Sequence, residues 1–139
     1  KMALVSVMAV VVTFTIGQPV ILFLAGLGGI PADLYEAAMI DGANSRARFF
    51  RITLPLLKPT TLFVTVTQVI GVFQVFVVVL LLTKGGPANG TQTIVYRMYE
   101  MAFDTFQFGY ASAIGLVLII IIGVISWIQF RFFGADTEY

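Results

Sequence analysis

The side chains able to carry charge are few, and most are gathered in one place. Asp33, Glu36 and Asp41 stand beside Arg46, Arg48, Arg51 and Lys58 within the segment Gly28 to Lys58. They make this segment the polar heart of the chain. They do not form the acid, base, nucleophile or metal set that an enzyme needs. Cysteine and histidine are absent, which excludes disulfides, the usual zinc sites and any Cys/His or Ser/His nucleophile. A second group is polar without charge. Thr61, Thr65 and Gln68 share one helical stripe that Val72 and Val75 continue, while Gln74 lies on another face. Gly85 and Gly90 followed by Thr91 echo a phosphate-binding loop, but the lysine such a loop requires is missing, so that reading is rejected. A net charge of +1 gives no case for nucleic acid.

The elements that must position these groups are dictated by the solvent the chain is built for. Of its residues 59% are hydrophobic and 11% charged, with a mean hydropathy of +0.99, far from the mix of a soluble domain. Met2 to Ala32, Pro59 to Thr83 and Thr105 to Phe130 carry no charged residue. Each run is long enough to cross a hydrocarbon core of roughly 30 Å at about 1.5 Å per helical residue. Backbone groups in hydrocarbon must be satisfied within the segment, and the alternating signature of a membrane barrel is missing. The expected fold is therefore an all-α membrane protein with transmembrane helices over 2–28, 58–82 and 109–132. Met2 to Ile16 is not expected to be a signal peptide. The apolar run continues through Gln18 and Pro19 to Leu27, and no small-residue cleavage site comes after a short core.

Charge also sets the expected orientation. Gly28 to Lys58 holds four basic residues and Lys84 to Asp104 holds two, so the first loop is expected inside the cell and the second outside. Arg131 after the third span agrees, which makes 83–108 an extracytoplasmic loop with a short helix and 133–139 a cytoplasmic tail. Within the inner loop, 33–53, Asp33 and Glu36 resemble a capping box and Gly42 can end the turn in a left-handed conformation, so Leu34 to Asp41 is expected to be a short helix. Asn44 or Ser45 caps a second one running to about Thr53, before Leu54 and Pro55 redirect the chain into the membrane. Isolated helices of two turns are marginal in water, so something must hold the first in place.

The spacing in this loop resembles that of the inner-membrane permeases of binding-protein-dependent ABC importers, in particular the carbohydrate-uptake class. Their hallmark is Glu-Ala-Ala, a Gly four residues beyond the second Ala, then Ile-x-Leu-Pro. Here it is Glu36, Ala37, Ala38 and Gly42, then Ile52, Leu54 and Pro55. The surrounding Leu24 to Leu27, Ile30-Pro31, Asp41 to Ala43 and Phe49 are similar to the sugar-type consensus. Leu82, Thr83, Gly85 to Pro87, Tyr99, Phe103 and Gly109 to Ala113 are similar to the larger maltose-type subunit. Two features depart from the family pattern: Val77 to Val79 stand where an acidic residue is usual, and the run Ser45 to Ala47 lacks an aromatic pair. Family members are commonly about twice this length with around six spans, so the chain is expected to be the C-terminal part of a type I importer permease.

The resemblance implies roles for these residues. The helix bearing Tyr35, Glu36, Ala37, Ala38, Asp41 and Gly42 would be a coupling helix that docks on a separate ABC ATPase, which alone binds ATP and Mg. No cofactor is expected in this chain. A second related permease, an extracytoplasmic solute-binding protein and the lipid bilayer of a bacterial or archaeal inner membrane complete the expected surroundings. Gln68 sits where the maltose-type subunit lines its sugar site, with Thr61, Thr65, Val72 and Val75 along the same path; the family's nearby asparagines correspond to Val72 and Val75. Other readings stay open on the residues alone. The loop helix could be an amphipathic connector at the lipid surface, and Gln68 could serve only an interhelical hydrogen bond. Gly109, Ala111, Ser112, Ala113 and Gly115 are expected to form a helix-packing surface. Tyr96, Tyr99, Phe103, Phe106 and Tyr110 are expected to form an interfacial aromatic belt. The cargo could be glycerol phosphate, polyamine or phosphate in place of a sugar, or the chain could be a membrane scaffold without transport.

Overall fold

The computed structural model describes residues 2–133, and among them every regular element is helical. The 133–139 tail expected inside the cell lies beyond the described residues, apart from its first member. In chain order the helices are α1 (Met2–Thr15), α2 (Gly17–Gly28), α3 (Ala32–Ile40), α4 (Ser45–Arg48), α5 (Leu54–Leu56), α6 (Lys58–Phe73), α7 (Val77–Leu82), α8 (Ile94–Tyr99) and α9 (Phe108–Phe133). π-helical turns join α4 to α5 over Phe49–Thr53 and extend α8 over Glu100–Asp104. Three stretches are long and apolar enough to cross a bilayer: Met2–Gly28, Lys58–Leu82 and Phe108–Phe132.

Two of these stretches are interrupted where the sequence suggests continuous helices. The first breaks at Ile16, between α1 and α2. Its cause is Pro19, which has no N–H to offer the Thr15 carbonyl four residues back and whose ring crowds that turn. The second breaks over Gln74–Phe76 without a proline. There the Phe76 ring is drawn out of the helical path to pack 5.0 Å from Tyr99 and 6.4 Å from Tyr96, centroid to centroid. Tertiary packing overrides helical continuity at that point. α9 runs unbroken through 26 residues.

The helices pack mainly in pairs. α2 lies on α6, α1 on α7, and both α6 and α8 on α9. The α2–α6 approach depends on Gly26: a Cβ there would stand 2.8 Å from Thr60 Oγ1 and 3.0 Å from Leu57 Cδ2. Val7, Val79 and Tyr96 form the buried centre, with Val11, Val75, Phe76, Val78 and Leu80 packed around it. Large apolar side chains elsewhere are left open, among them Phe14 at 82% and Ile119 at 67% exposure. Such continuous apolar surface requires lipid or other helices as its neighbour.

Other expectations change on this scaffold. Tyr96 does not join an interfacial belt but lies in the core, while Phe103, Phe106 and Tyr110 are exposed. Of the small-residue surface, Ala111 is buried and Gly115 approaches Met98 Sδ, whereas Ser112 and Ala113 are exposed and a Cβ at Gly109 would meet nothing within 4 Å. Packing against α8 uses only one edge of that stripe.

Candidate functional site

The loop between the first two stretches is built as a rigid hook. Pro31, at ψ 132°, turns the chain out of α2, and α3 starts immediately after it. Because the helix begins at Ala32, Asp33 falls inside the first turn and makes no side-chain cap, so the capping box with Glu36 does not form. Asp33 instead places negative charge near the positive end of the helix dipole. The other end is closed as the sequence suggests. Gly42 takes φ +78°, its N–H donates to the Met39 carbonyl at 3.0 Å, and Ala43 N–H donates to the Ala38 carbonyl at 2.9 Å. These two bonds are the Schellman pattern, and the left-handed position suits glycine.

The segment after α3 holds that helix in place. Asn44 Oδ1 accepts from the Ala47 N–H at 2.8 Å and starts α4. The chain then runs helically through the π turn and past Pro55, rather than ending near Thr53. Widening the helix by one residue relieves the crowding Pro55 would otherwise impose on the preceding turn. The Tyr35 hydroxyl and the buried Thr53 hydroxyl lie 2.8 Å apart and tie α3 to that continuing helix. Between the two arms is a cavity of about 500 Å³ lined by Ala38, Asp41, Gly42, Asn44, Arg48 and Arg51, among others. Arg48 bonds Ser45 Oγ through Nη2 at 3.2 Å, while its Nε is buried without a partner. Glu36, Ala37, Asp41 and Gly42 face outward, and Tyr35 and Ala38 are half-buried.

The polar stripe of the second stretch is only partly brought together. Thr65, Gln68 and Val72 line an apolar groove of about 380 Å³ along α6, with Val64, Val69 and Phe73. Thr61 and Val75 do not line it. The Thr61 hydroxyl donates to the Leu57 carbonyl at 2.9 Å and that of Thr65 to the Thr61 carbonyl at 2.6 Å, so both turn back on their own helix. Val75 lies in the break beyond α6 and packs on the core. Gln68 Nε2 donates to the Thr15 carbonyl at 3.0 Å, the interhelical bond that the sequence left as one of two readings. This amide keeps a second N–H and its carbonyl oxygen for other partners.

The far end of the molecule is stitched by side chains that sequence reasoning passes over. Thr93 Oγ1 donates to the Val75 carbonyl at 2.8 Å and accepts from Tyr96 N–H at 3.2 Å, so one hydroxyl serves the break and caps α8. The Thr91 hydroxyl, buried in the turn, lies 2.8 Å from the Gly86 carbonyl and 2.7 Å from the Thr83 hydroxyl. Glu100 receives Arg97 at 2.6 Å and Gln92 at 2.9 Å. Burial, together with the negative charge of Glu100 and Asp104 and the neighbouring Tyr99, pushes the Tyr96 phenol above its ordinary range and keeps it neutral. Pro19 was the signal available for the Gln68 contact, since it orphans Thr15; Thr53 and Thr93 carry no comparable mark in the sequence.

The chain matches the binding-protein-dependent transport system inner membrane component over residues 2–134 and belongs to that family. It is a membrane protein, a transport component and not an enzyme. Among curated relatives, it is 44% identical over 117 residues to the probable ABC transporter permease protein YesP of Bacillus subtilis, covering 83% of this chain and 38% of that one. It is 41% identical over 116 residues to the multiple sugar-binding transport system permease protein MsmF of Streptococcus mutans, covering 84% of this chain and 40% of that one. It is 40% identical over 118 residues to the sn-glycerol-3-phosphate transport system permease protein UgpA of Agrobacterium fabrum, again 84% and 40%. The chain thus spans 38% to 40% of the length of these relatives.

Proposed function

We propose that this chain is part of the permease subunit of an ATP-driven sugar importer and passes the work of a separate ATPase to the membrane helices through the hook at 33–53. The observation that carries this reading is the exposure of Glu36, Ala37 and Gly42 on a helix held at its C-terminal end by the Schellman turn and along its length by the Tyr35–Thr53 bond. Glu36 would pair with a basic group of the ATPase, while Ala37 and Ala38 permit close approach and Gly42 lets the chain leave sharply. A short helix held this way moves as a solid piece, so displacement by a nucleotide-driven partner is passed on as rigid-body motion.

In this reading ATP and Mg belong to the partner, and a second related permease and a solute-binding protein complete a multi-pass assembly in a bacterial or archaeal inner membrane. The hook lies in the cytoplasm and 83–108 outside, as the four-to-two balance of basic residues supports. Thr61, Thr65, Gln68, Val72 and Val75 are the candidates for the cargo path, with Gln68 foremost because it lines the groove with an N–H and a carbonyl oxygen left for a partner.

The test separates hydrolysis from uptake in the assembled transporter. Glu36→Ala is expected to lower uptake per ATP at least about tenfold, in line with a charge-assisted hydrogen bond contributing about 1.5–3 kcal/mol. Gly42→Val should do at least as much while membrane insertion stays intact. Unchanged uptake in both variants would sink the docking role. A second cargo, glycerol phosphate, is favoured by the likeness to the UgpA permease. ATPase stimulation across a panel of sugars, glycerol phosphate, polyamines and phosphate distinguishes them, and stimulation by none would favour a scaffold.

A further inference from the structure

The two interrupted stretches break beside each other. Thr15, the last residue of α1, meets Gln68 of α6, and Phe14 borders one groove with Val77 and Val78 at the start of α7. On one side of this level α1, α7 and α8 share the core of Val7, Val79 and Tyr96. On the other side α2 and α6 are locked at Gly26 and Thr60. Backbone continuity is weakened in both of the stretches that run from one group to the other, while the unbroken α9 packs on α6 in one and α8 in the other.

An orphaned carbonyl at each break receives a donor from a different element. Thr15 would ordinarily accept from residue 19, and Pro19 has nothing to give; Gln68 Nε2 supplies the bond at 3.0 Å. Val75 in the second break receives Thr93 Oγ1 at 2.8 Å. An unsatisfied carbonyl in hydrocarbon is costly, which makes the Gln68 amide a tie across the break.

We propose that Gln68 is a positioning residue, a clamp that replaces the amide missing at Pro19 and thereby fixes the angle between α1 and α2. The break is a hinge, and Gln68 is the side chain that bonds its freed carbonyl. Because α2 leads through Gly28 to Pro31 into α3, the clamp also fixes where the hook stands relative to the outer group; only this consequence rests on the permease reading.

The clamp predicts that Gln68 and Pro19 are coupled. Cysteines placed at exposed Val5 and Leu24, in a chain that has none of its own, carry spin labels whose separation reports the α1–α2 angle in the lipid-embedded assembly. The unaltered chain is expected to give one narrow distance distribution. Gln68→Met, which keeps length but donates nothing, is expected to widen it at least twofold. Pro19→Ala restores the backbone donor, so the distribution should be narrow and longer, and Gln68→Met added to it should change nothing. An unaltered width in Gln68→Met, or equal widening in both backgrounds, would overturn the proposal. Should Gln68→Met fail to accumulate, recovery of accumulation by Pro19→Ala supports the clamp and continued failure refutes it. These readouts need no transport, so a failed uptake reading leaves them interpretable.

Discussion

The first two membrane stretches and the third differ in one respect that organises the rest. All three are strongly apolar, yet α1–α2 and α6–α7 are broken and α9 is not. Each break frees a carbonyl, and each is answered by a side chain from elsewhere: Gln68 for Thr15, Thr93 for Val75. α9 has no such need. Its own amide, Gln129, reaches the Thr65 carbonyl only at 3.5 Å and leaves Oε1 buried without a partner. At both breaks a polar side chain of another element thus serves the backbone.

That contrast can be broken most severely by giving α9 a break without a donor. Val117→Pro, at an exposed position, is expected to cost about 3 kcal/mol or more, because it orphans the Ala113 carbonyl and nothing opposite replaces it. Loss of folded protein in detergent melts would register this, and tolerance like that of Pro19 would contradict the contrast. Next in size, Thr93→Val removes both the bond to Val75 and the cap on α8, and should lower stability by about 1–2 kcal/mol in the same assay. Tyr35→Phe deletes one hydroxyl pair in the hook and should cost about 1 kcal/mol, with faster proteolysis between α3 and α4 as its local sign. Smallest is Gln129→Leu, expected within about 0.6 kcal/mol of neutral, since its amide is poorly used.

Much of this architecture was legible because charge and length are strong signals in a membrane chain. The three runs without charge mark the three apolar stretches, and Glu36 to Gly42 with Ile52, Leu54 and Pro55 mark the hook. Gly42 announced its left-handed turn and Asn44 its cap, because each acts on its immediate neighbours. Asp33 misled for a related reason: a cap depends on which residue starts the helix, and Pro31 moved that start two positions earlier. The break at Gln74–Phe76 was illegible since no local residue causes it; the Phe76 ring is drawn to partners about twenty residues away. Tyr96 likewise reads as interfacial by type and becomes core through what α1 and α7 bring to it. The groove on α6 was half legible: helical period joined Thr65, Gln68 and Val72, but it could not foresee that the helix ends before Val75.

The measurement that bears most directly on the central claim is thiol labelling of Ala37→Cys, on the outward face of the hook, in the assembled transporter. Labelling is expected from the cytoplasmic side only, to be slowed by the ATPase, and to change in rate between the nucleotide-free and ATP-bound states. Labelling from the outer side, or one rate in all three conditions, would contradict it.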